Sequence, residues 1–250
     1  MTTSSSPSQT PRVALVTGGS GGIGSSVVER LAEDGFALAV HYAGNSARAE
    51  ELATRVQKDG GQAIAVGGDV ADENAMAAAF DAVESEFGGL DVVVNTAGIM
   101  VLQPIATFDL ADLDRMHRIN IRGTFVVSQL AANRVRAGGA IINFSSSQTR
   151  LQFPTYGGYV ATKAAVEGMT LVLARELRGK DITVNAVAPG PTATPLFLDG
   201  KDQQTIDHLA GLSPLERLGT PDDVAEVVAH IAGHARWING QIIYVNGGIA

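Results

Sequence analysis

The chain has 250 residues, 45% of them hydrophobic and 18% charged, with a formal net charge of -8 and no cysteine. That balance suits one globular α/β domain with a sizeable core. The acidity argues against nucleic acid as a partner, and the missing thiols exclude disulfides, thiolate metal sites and cysteine nucleophiles, which fits a reducing cytoplasm. No apolar run approaches the ~18 residues of a membrane span.

The opening MTTSSSPSQTPR has no apolar h-region, so it does not read as a secretory signal; residues 1–11 are expected to be a disordered tail. From residue 12, apolar runs alternate with helical patterns. RVALVT (12–17) precedes a helix over 22–35, FALAVHY (36–42) one over 46–60, and QAIAVGGDV (62–70) one over 72–88. LDVVVNTAG (90–98) leads into a long helical stretch around 109–136, then AIINFSSS (140–147). A helix near 156–178 precedes DITVNAVAPG (181–190), and PDDVAEVVAHIAG (221–233) precedes QIIYVNGG (241–248). The strand runs are continuously apolar rather than alternating, as in a parallel sheet buried on both faces. The βα alternation predicts a doubly wound, Rossmann-type parallel sheet of about seven strands flanked by helices, one catalytic domain over 12–250. Ligands of such sheets bind beyond the carboxyl ends of the strands. Residues 191–219 fit neither pattern and are expected to form a loop or substrate lid.

TGGSGGIG (17–24) lies between the first strand and helix. Glycine lets the backbone turn sharply and lets a pyrophosphate approach the amides of a helix N-terminus. A glycine pattern alone is weak, but this setting favours dinucleotide binding. The spacing TGxxxGxG resembles the short-chain dehydrogenase/reductase family, whose members are single-domain nicotinamide enzymes. The resemblance runs from about Arg12 to the C-terminus, and within the family the chain looks similar to reductases of 3-oxoacyl thioesters. It implies cofactor contacts from Gly18, Ser20, Gly22, Ile23 and Gly24. A carboxylate ending the second strand would bond the adenosine ribose and repel a 2′-phosphate. HYAGNSAR (41–48) has none, so NADP(H) is favoured and NAD(H) is the weaker alternative. Tyr42 or its neighbour matches the discriminating position; Arg48 is the nearest cation, with Asn45 and Ser46 as polar help, although a cation there is more often an ordinary solvated helix residue.

Asp69 and Val70 match the family pair flanking adenine, although Asp69 also suits the turn into the next helix and Asp72 its cap. Asn95-Thr96-Ala97-Gly98 is similar to the family's NNAG motif, with threonine for the second Asn; Ala97 and Gly98 would leave room for the ribose and Asn95 would brace the sheet. Pro189-Gly190-Pro191-Thr192-Ala193-Thr194 matches the turn that holds the nicotinamide carboxamide, with Thr192 and Thr194 at the matching positions.

YVATK (159–163) places a phenol and an ammonium at i and i+4, on one helical face. A nearby ammonium favours phenolate, so Lys163 is expected to lower the Tyr159 pKa from about 10 and allow proton exchange near neutrality. Tyr156 lies two turns from Lys163 and is the poorer acid. By resemblance, Ser146 steadies the substrate oxygen, with Ser145 and Ser147 as rival assignments, and Asn120 in RINIRG kinks its helix and holds a water linking Lys163 to solvent. Asn120, Ser146, Tyr159 and Lys163 together form the family's complete set. No G-x-S-x-G elbow accompanies the serines. His230 and His234 have i,i+4 spacing without an adjacent carboxylate motif, and we assign no metal. The implied activity is hydride transfer between nicotinamide and a carbonyl or secondary alcohol, with a small-molecule substrate, no nucleic-acid or membrane partner, and a homotetramer or homodimer. An inactive cofactor-binding regulator or scaffold is the alternative; an epimerase or dehydratase would carry a larger C-terminal domain.

Overall fold

The computed structural model describes residues 11–250. Apart from Pro11, the expected tail lies outside the described residues. Seven strands, β1 (Val13–Thr17), β2 (Ala37–Tyr42), β3 (Gln62–Gly67), β4 (Leu90–Asn95), β5 (Val135–Phe144), β6 (Thr183–Pro189) and β7 (Ile242–Val245), form one all-parallel sheet in the order 3-2-1-4-5-6-7. This is the doubly wound α/β architecture expected. Strand order reverses at the β1/β4 boundary, which is where the switch-point rule places a ligand crevice.

The helices are α1 (Gly22–Glu33), α2 (Ser46–Lys58), α3 (Glu73–Phe87), α4 (Leu110–Met116), α5 (Thr124–Arg134), α6 (Gln148–Leu151), α7 (Gly157–Glu176), α8 (Pro195–Leu198), α9 (Gln203–Gly211) and α10 (Pro221–Ala232). Successive strand residues point to opposite faces, and the core divides accordingly. Ala14, Val16, Leu38, Val40, Val92, Val94 and Ile142 pack with Val28 and Leu31 of α1, Leu52 of α2 and Val228 of α10. Val13, Leu15, Ala39, Val93, Ile141 and Val184 face Met76 and Phe80 of α3 and Val127 of α5. Both sets are essentially buried, and each large aliphatic side chain contributes roughly 1.5–3 kcal/mol by burial.

The element ends follow local chemistry. Asn45 caps α2 through the Arg48 N–H, Asp72 caps α3 through Asn74 and Ala75, and Gly88 ends α3 in the left-handed region at φ 77°. Thr220 and Asp223 form a capping box on α10, with Pro221 at its first position.

Three expectations are corrected. The stretch over 109–136 is not one α-helix: a π-helical segment (His117–Gly123) separates α4 from α5, and π turns leave no mark in hydrophobic periodicity. β5 begins at Val135, five residues before AIINFSSS, because its register against β4 shifts between Leu90 and Val92 and Gly138 (φ 82°) absorbs the irregularity. Residues 191–219 carry α8 and α9; α9 is capped by Asp202, and its apolar face is only Ile206, Leu209 and Ala210, all half-buried, too short a pattern to stand out in the sequence.

Candidate active site

An open crevice of about 800 Å³, part of it continuous with solvent, lies beyond the carboxyl ends of β1, β4, β5 and β6. Ser146, Tyr159, Lys163, Gly98, Ile23 and the turn Pro189–Thr194 line it.

The glycine loop is shaped by contacts no side chain could share. Gly18 sits at φ 64°, and its amide donates to His41 Nδ1 at 3.4 Å. A Cβ on Gly24 would lie 2.3 Å from the Gly18 carbonyl oxygen, and one on Gly22 would lie 2.9 Å from the Thr194 methyl. The turn after β6 is thus folded onto the glycine loop. No side chain caps α1, so its first amides are free to meet an anion. Ser20 is half-buried beside them. This cradle fits a dinucleotide pyrophosphate. His41 supports the loop from below: its carbonyl accepts the Gly19 N–H, and burial pulls its imidazole down to about 4, so it is neutral at physiological pH. Because Nδ1 accepts, the proton belongs on Nε2, which has no partner among the described residues.

Beyond β2, the Tyr42 ring covers Gly67, where a Cβ would approach it to 2.9 Å. Asn45 spends its oxygen on the α2 cap, while Arg48 is exposed at the start of that helix. Asp69 Oδ1 accepts the Ala71 N–H at 2.9 Å and Oδ2 accepts from Arg118 at 2.6 Å. Its pKa is lowered: desolvation, the largest influence, works against ionisation, and the Ala71 amide and Arg118 outweigh it. Val70 turns inward against Gly123 of the π segment. The Arg118 contact spans 49 residues, and no local pattern announces it.

Asn95 is buried and bonds inside the sheet: Oδ1 accepts from Thr17 at 2.7 Å and Nδ2 reaches Asn143 at 3.5 Å. Its side chain therefore braces β1 against β4. Thr96 donates to the Thr17 carbonyl at 2.5 Å, which explains how threonine serves at that position. Ala97 lies against Gly18, and Gly98 faces Asn120 and the Lys163 ammonium, with no space for a Cβ on Gly18.

Asn120 sits within the π segment, completely buried. Its Oδ1 accepts the Ile99 N–H at 2.9 Å, and its Nδ2 donates to the Ile99 carbonyl at 2.8 Å and to Thr162 at 3.1 Å. Thr124 donates to the Asn120 carbonyl at 2.7 Å. Since Thr162 in turn donates to the Tyr159 carbonyl, Asn120 ties the strand-end loop to the helix that carries Tyr159.

The structure separates the three serines. Ser145 donates to Glu167 Oε1 at 2.6 Å and Ser147 to the Ala188 carbonyl at 3.1 Å. Ser146 Oγ only accepts, from the Gln148 N–H at 3.2 Å, so its proton remains available toward the crevice. Glu167 and Thr149 were not singled out in the sequence, yet Thr149 bonds Glu167, the Ser146 carbonyl and Tyr244 together and fixes the serine turn.

Lys163 is buried and donates to the Phe144 carbonyl at 2.8 Å, with its nitrogen 5.7 Å from the Tyr159 ring centroid. Burial pulls its pKa down to about 8. Tyr159 behaves oppositely to expectation. Burial pushes its phenol up to about 12, offset in part by the facing Ser146 hydroxyl and reinforced by Tyr156; the two hydroxyls, Tyr159 and Ser146, make no bond of ordinary geometry. The expected depression by Lys163 is corrected here. The ammonium is turned to a backbone carbonyl and is itself desolvated, so it does not counter the loss of water around the phenol. Tyr159 is in consequence a fully protonated donor at neutral pH.

Large side chains supply much of the apolar lining of the crevice: Ile99, Met100, Leu151, Tyr156, Leu196 and Phe197. The last two come from α8. Among the described residues no group of three or more His, Cys, Asp or Glu side chains could hold a metal, and no helix is long and apolar enough to cross a membrane.

Comparison with known proteins agrees with this geometry. The family model described as enoyl-(acyl carrier protein) reductase matches residues 18–250. A short-chain type dehydrogenase/reductase of Picea abies is 43% identical over 248 residues, covering 95% of this chain and 92% of the relative. An NADPH-dependent aldehyde reductase-like chloroplastic protein of Arabidopsis thaliana is 42% identical over 268 residues, covering 99% of each. The crystal structure of a short-chain dehydrogenase from Burkholderia cenocepacia in complex with NADP superposes with a TM-score of 0.89 at 38% identity, covering 96% of this chain and 98% of the other.

Proposed function

This chain belongs to the short-chain dehydrogenase/reductase family, and from that premise we propose that it reduces uncharged aldehydes or ketones of largely apolar body with NADPH, Tyr159 providing the proton. The cofactor is NADP(H), consistent with the absence of any carboxylate over residues 41–48 and with the NADP-bound relative. The glycine loop would hold the pyrophosphate, Asp69 would take the adenine edge, and the turn from Pro189 to Thr194 would take the carboxamide. When bound, the nicotinamide supplies or accepts a hydride.

The chain's own residues do the rest. Ser146 donates its free proton to the carbonyl oxygen and stabilises charge developing there. Tyr159 hands its proton to that oxygen as the carbonyl carbon gains hydride, giving an alcohol and a phenolate that regains a proton from solvent. Lys163, anchored on Phe144, sets the cationic side of the site, and Asn120 holds the helix in register. The apolar wall selects substrates without charge, and residues 191–219 act as its lid. The observation that carries this reading is that two hydroxyls with protons to give, Ser146 and Tyr159, line one crevice beside a glycine cradle. A panel of aldehydes and ketones, followed by loss of NADPH absorbance, tests it. Turnover by the protein and its near-abolition in Tyr159→Phe, with NADPH affinity kept, are expected; full turnover in that variant would refute the assignment.

We also read the chain as a cytoplasmic homo-oligomer. Phe125 on α5 and Val172 on α7 are 57% and 55% exposed, and these helices pack side by side. Light scattering that gives a monomer mass, or fractionation that places the protein in an organelle, would overturn the corresponding part.

A further inference from the structure

Tyr156 is the tyrosine that the proton-transfer reading leaves without a task. It occupies the N-cap position of α7, where a residue with a polar side chain usually bonds the first amides, and it makes no such bond. Only 8% of it is exposed. Its ring stands edge-on to Tyr159 at 6.4 Å between centroids, and Phe153 packs edge-on to it, also at 6.4 Å. These two edge contacts restrict how the ring can turn.

That hydroxyl bonds no protein group. A buried phenol ordinarily finds a partner, and among the described residues the one buried side-chain atom without a partner is His41 Nε2. The Tyr156 oxygen is therefore reachable, and Tyr156 lines the crevice together with Tyr159, Leu151 and Phe197. Burial pushes its pKa up, so it stays a neutral donor. An unclaimed O–H on a nine-tenths buried residue, in an otherwise apolar wall, is a recognition group.

We infer that Tyr156 is a specificity-determining residue whose hydroxyl donates to a second, uncharged oxygen of the substrate, so that the enzyme prefers carbonyl compounds carrying an ether, ester, hydroxyl or keto oxygen near the reacting carbonyl. This rests on the reductase reading above. It accounts for two tyrosines three residues apart: one addresses the reacting oxygen, the other its neighbour. A site built to bond an oxygen discriminates against analogues lacking it, because the donor is then left unpaired.

The test compares benzaldehyde with its ortho, meta and para methoxy isomers, each measured with NADPH on the natural protein and on Tyr156→Phe, which keeps the ring contacts and removes only the oxygen. Comparing each substrate with itself cancels its intrinsic reactivity. For at least one isomer, kcat/KM should fall about tenfold further than for benzaldehyde, the worth of one uncharged hydrogen bond. Equal losses on all four would mean that Tyr156 acts through Tyr159 alone, and no loss on any would mean that its hydroxyl is idle; either overturns the inference. Calorimetric titration of the NADP(H)-loaded protein with the four matching benzyl alcohols reads the same preference without turnover. A natural protein that reduces none of the aldehydes but still binds one methoxy alcohol more tightly than Tyr156→Phe does would count against reduction of aryl aldehydes while keeping the Tyr156 hydrogen bond. Turnover without any methoxy discrimination would do the reverse.

Discussion

Replacing Gly24 by alanine puts one methyl group where the glycine loop has no space. The added Cβ would stand 2.3 Å from the Gly18 carbonyl oxygen, 2.9 Å from the Gly18 carbonyl carbon and 2.9 Å from Thr96 Oγ1. Carbon–oxygen contacts normally stand at about 3.3 Å, so the loop must retreat by about 1 Å. Two of the three colliding atoms are backbone, and no rotamer change relieves them. Overpacking of this kind costs about 1–3 kcal/mol, against which alanine in a helix recovers about 1 kcal/mol over glycine. The net loss, about 1 kcal/mol, lowers Tm by about 2–4 °C in a domain of this size. Cofactor binding suffers more. The retreat strains the Gly21 N–H to Gly18 bond and misaligns the amides meant for the pyrophosphate. A hydrogen bond to a charged group is worth about 1.5–3 kcal/mol, so losing one weakens NADPH by about tenfold to a hundredfold. Fluorescence titration with NADPH measures the affinity and thermal unfolding the fold. Gly168→Ala on α7 is the control: nothing lies within 4 Å of its Cβ, and it should raise Tm slightly and leave the affinity alone. A folded Gly24→Ala protein that binds NADPH as tightly as the natural chain would show that this loop is not the phosphate cradle.

Three further outcomes follow from the buried groups. Folding lowers Lys163 from 10.5 to about 8, so between those values the unfolded chain holds a proton that the folded chain has released and stability rises with pH; Lys163→Met should flatten that rise, gain on the order of 1 kcal/mol at pH 7 after losing the Phe144 bond, and abolish turnover. A loss of stability at pH 7 would mean that the ammonium is well compensated. The Tyr159 phenol, pushed up to about 12, should be absent from the ultraviolet titration below about pH 11 when the cofactor-free protein is compared with Tyr159→Phe, and its raised value makes stability fall with pH above about 10; a step near neutrality would mean that Lys163 does prime it. Asn143→Ala removes the acceptor of the buried Asn95 amide and Ser128 hydroxyl, while Thr170 keeps its bond to the Val166 carbonyl, and should cost roughly 2–4 kcal/mol. Urea unfolding gives that figure, and a cost below about 1 kcal/mol would show the chain of bonds to be dispensable.

Sequence by itself determined what depends on neighbours along the chain. Continuous apolar runs separated by helical patterns gave the strand and helix inventory, because two-sided burial and 3.6-residue periodicity are local properties. The same holds for Gly18, whose left-handed backbone at φ 64° favours glycine, and for the i,i+4 placement of Tyr159 and Lys163, which helix geometry imposes. Tertiary structure decided what depends on groups distant in sequence. It distinguished Ser146 from Ser145 and Ser147 through Glu167 and the Ala188 carbonyl, and it paired Asp69 with Arg118. It placed a π turn at Asn120 and two helices over residues that read as a loop. It also reversed the expected direction of the Tyr159 shift, since spacing fixes how near a charge lies but only the surrounding packing fixes how much water each group loses.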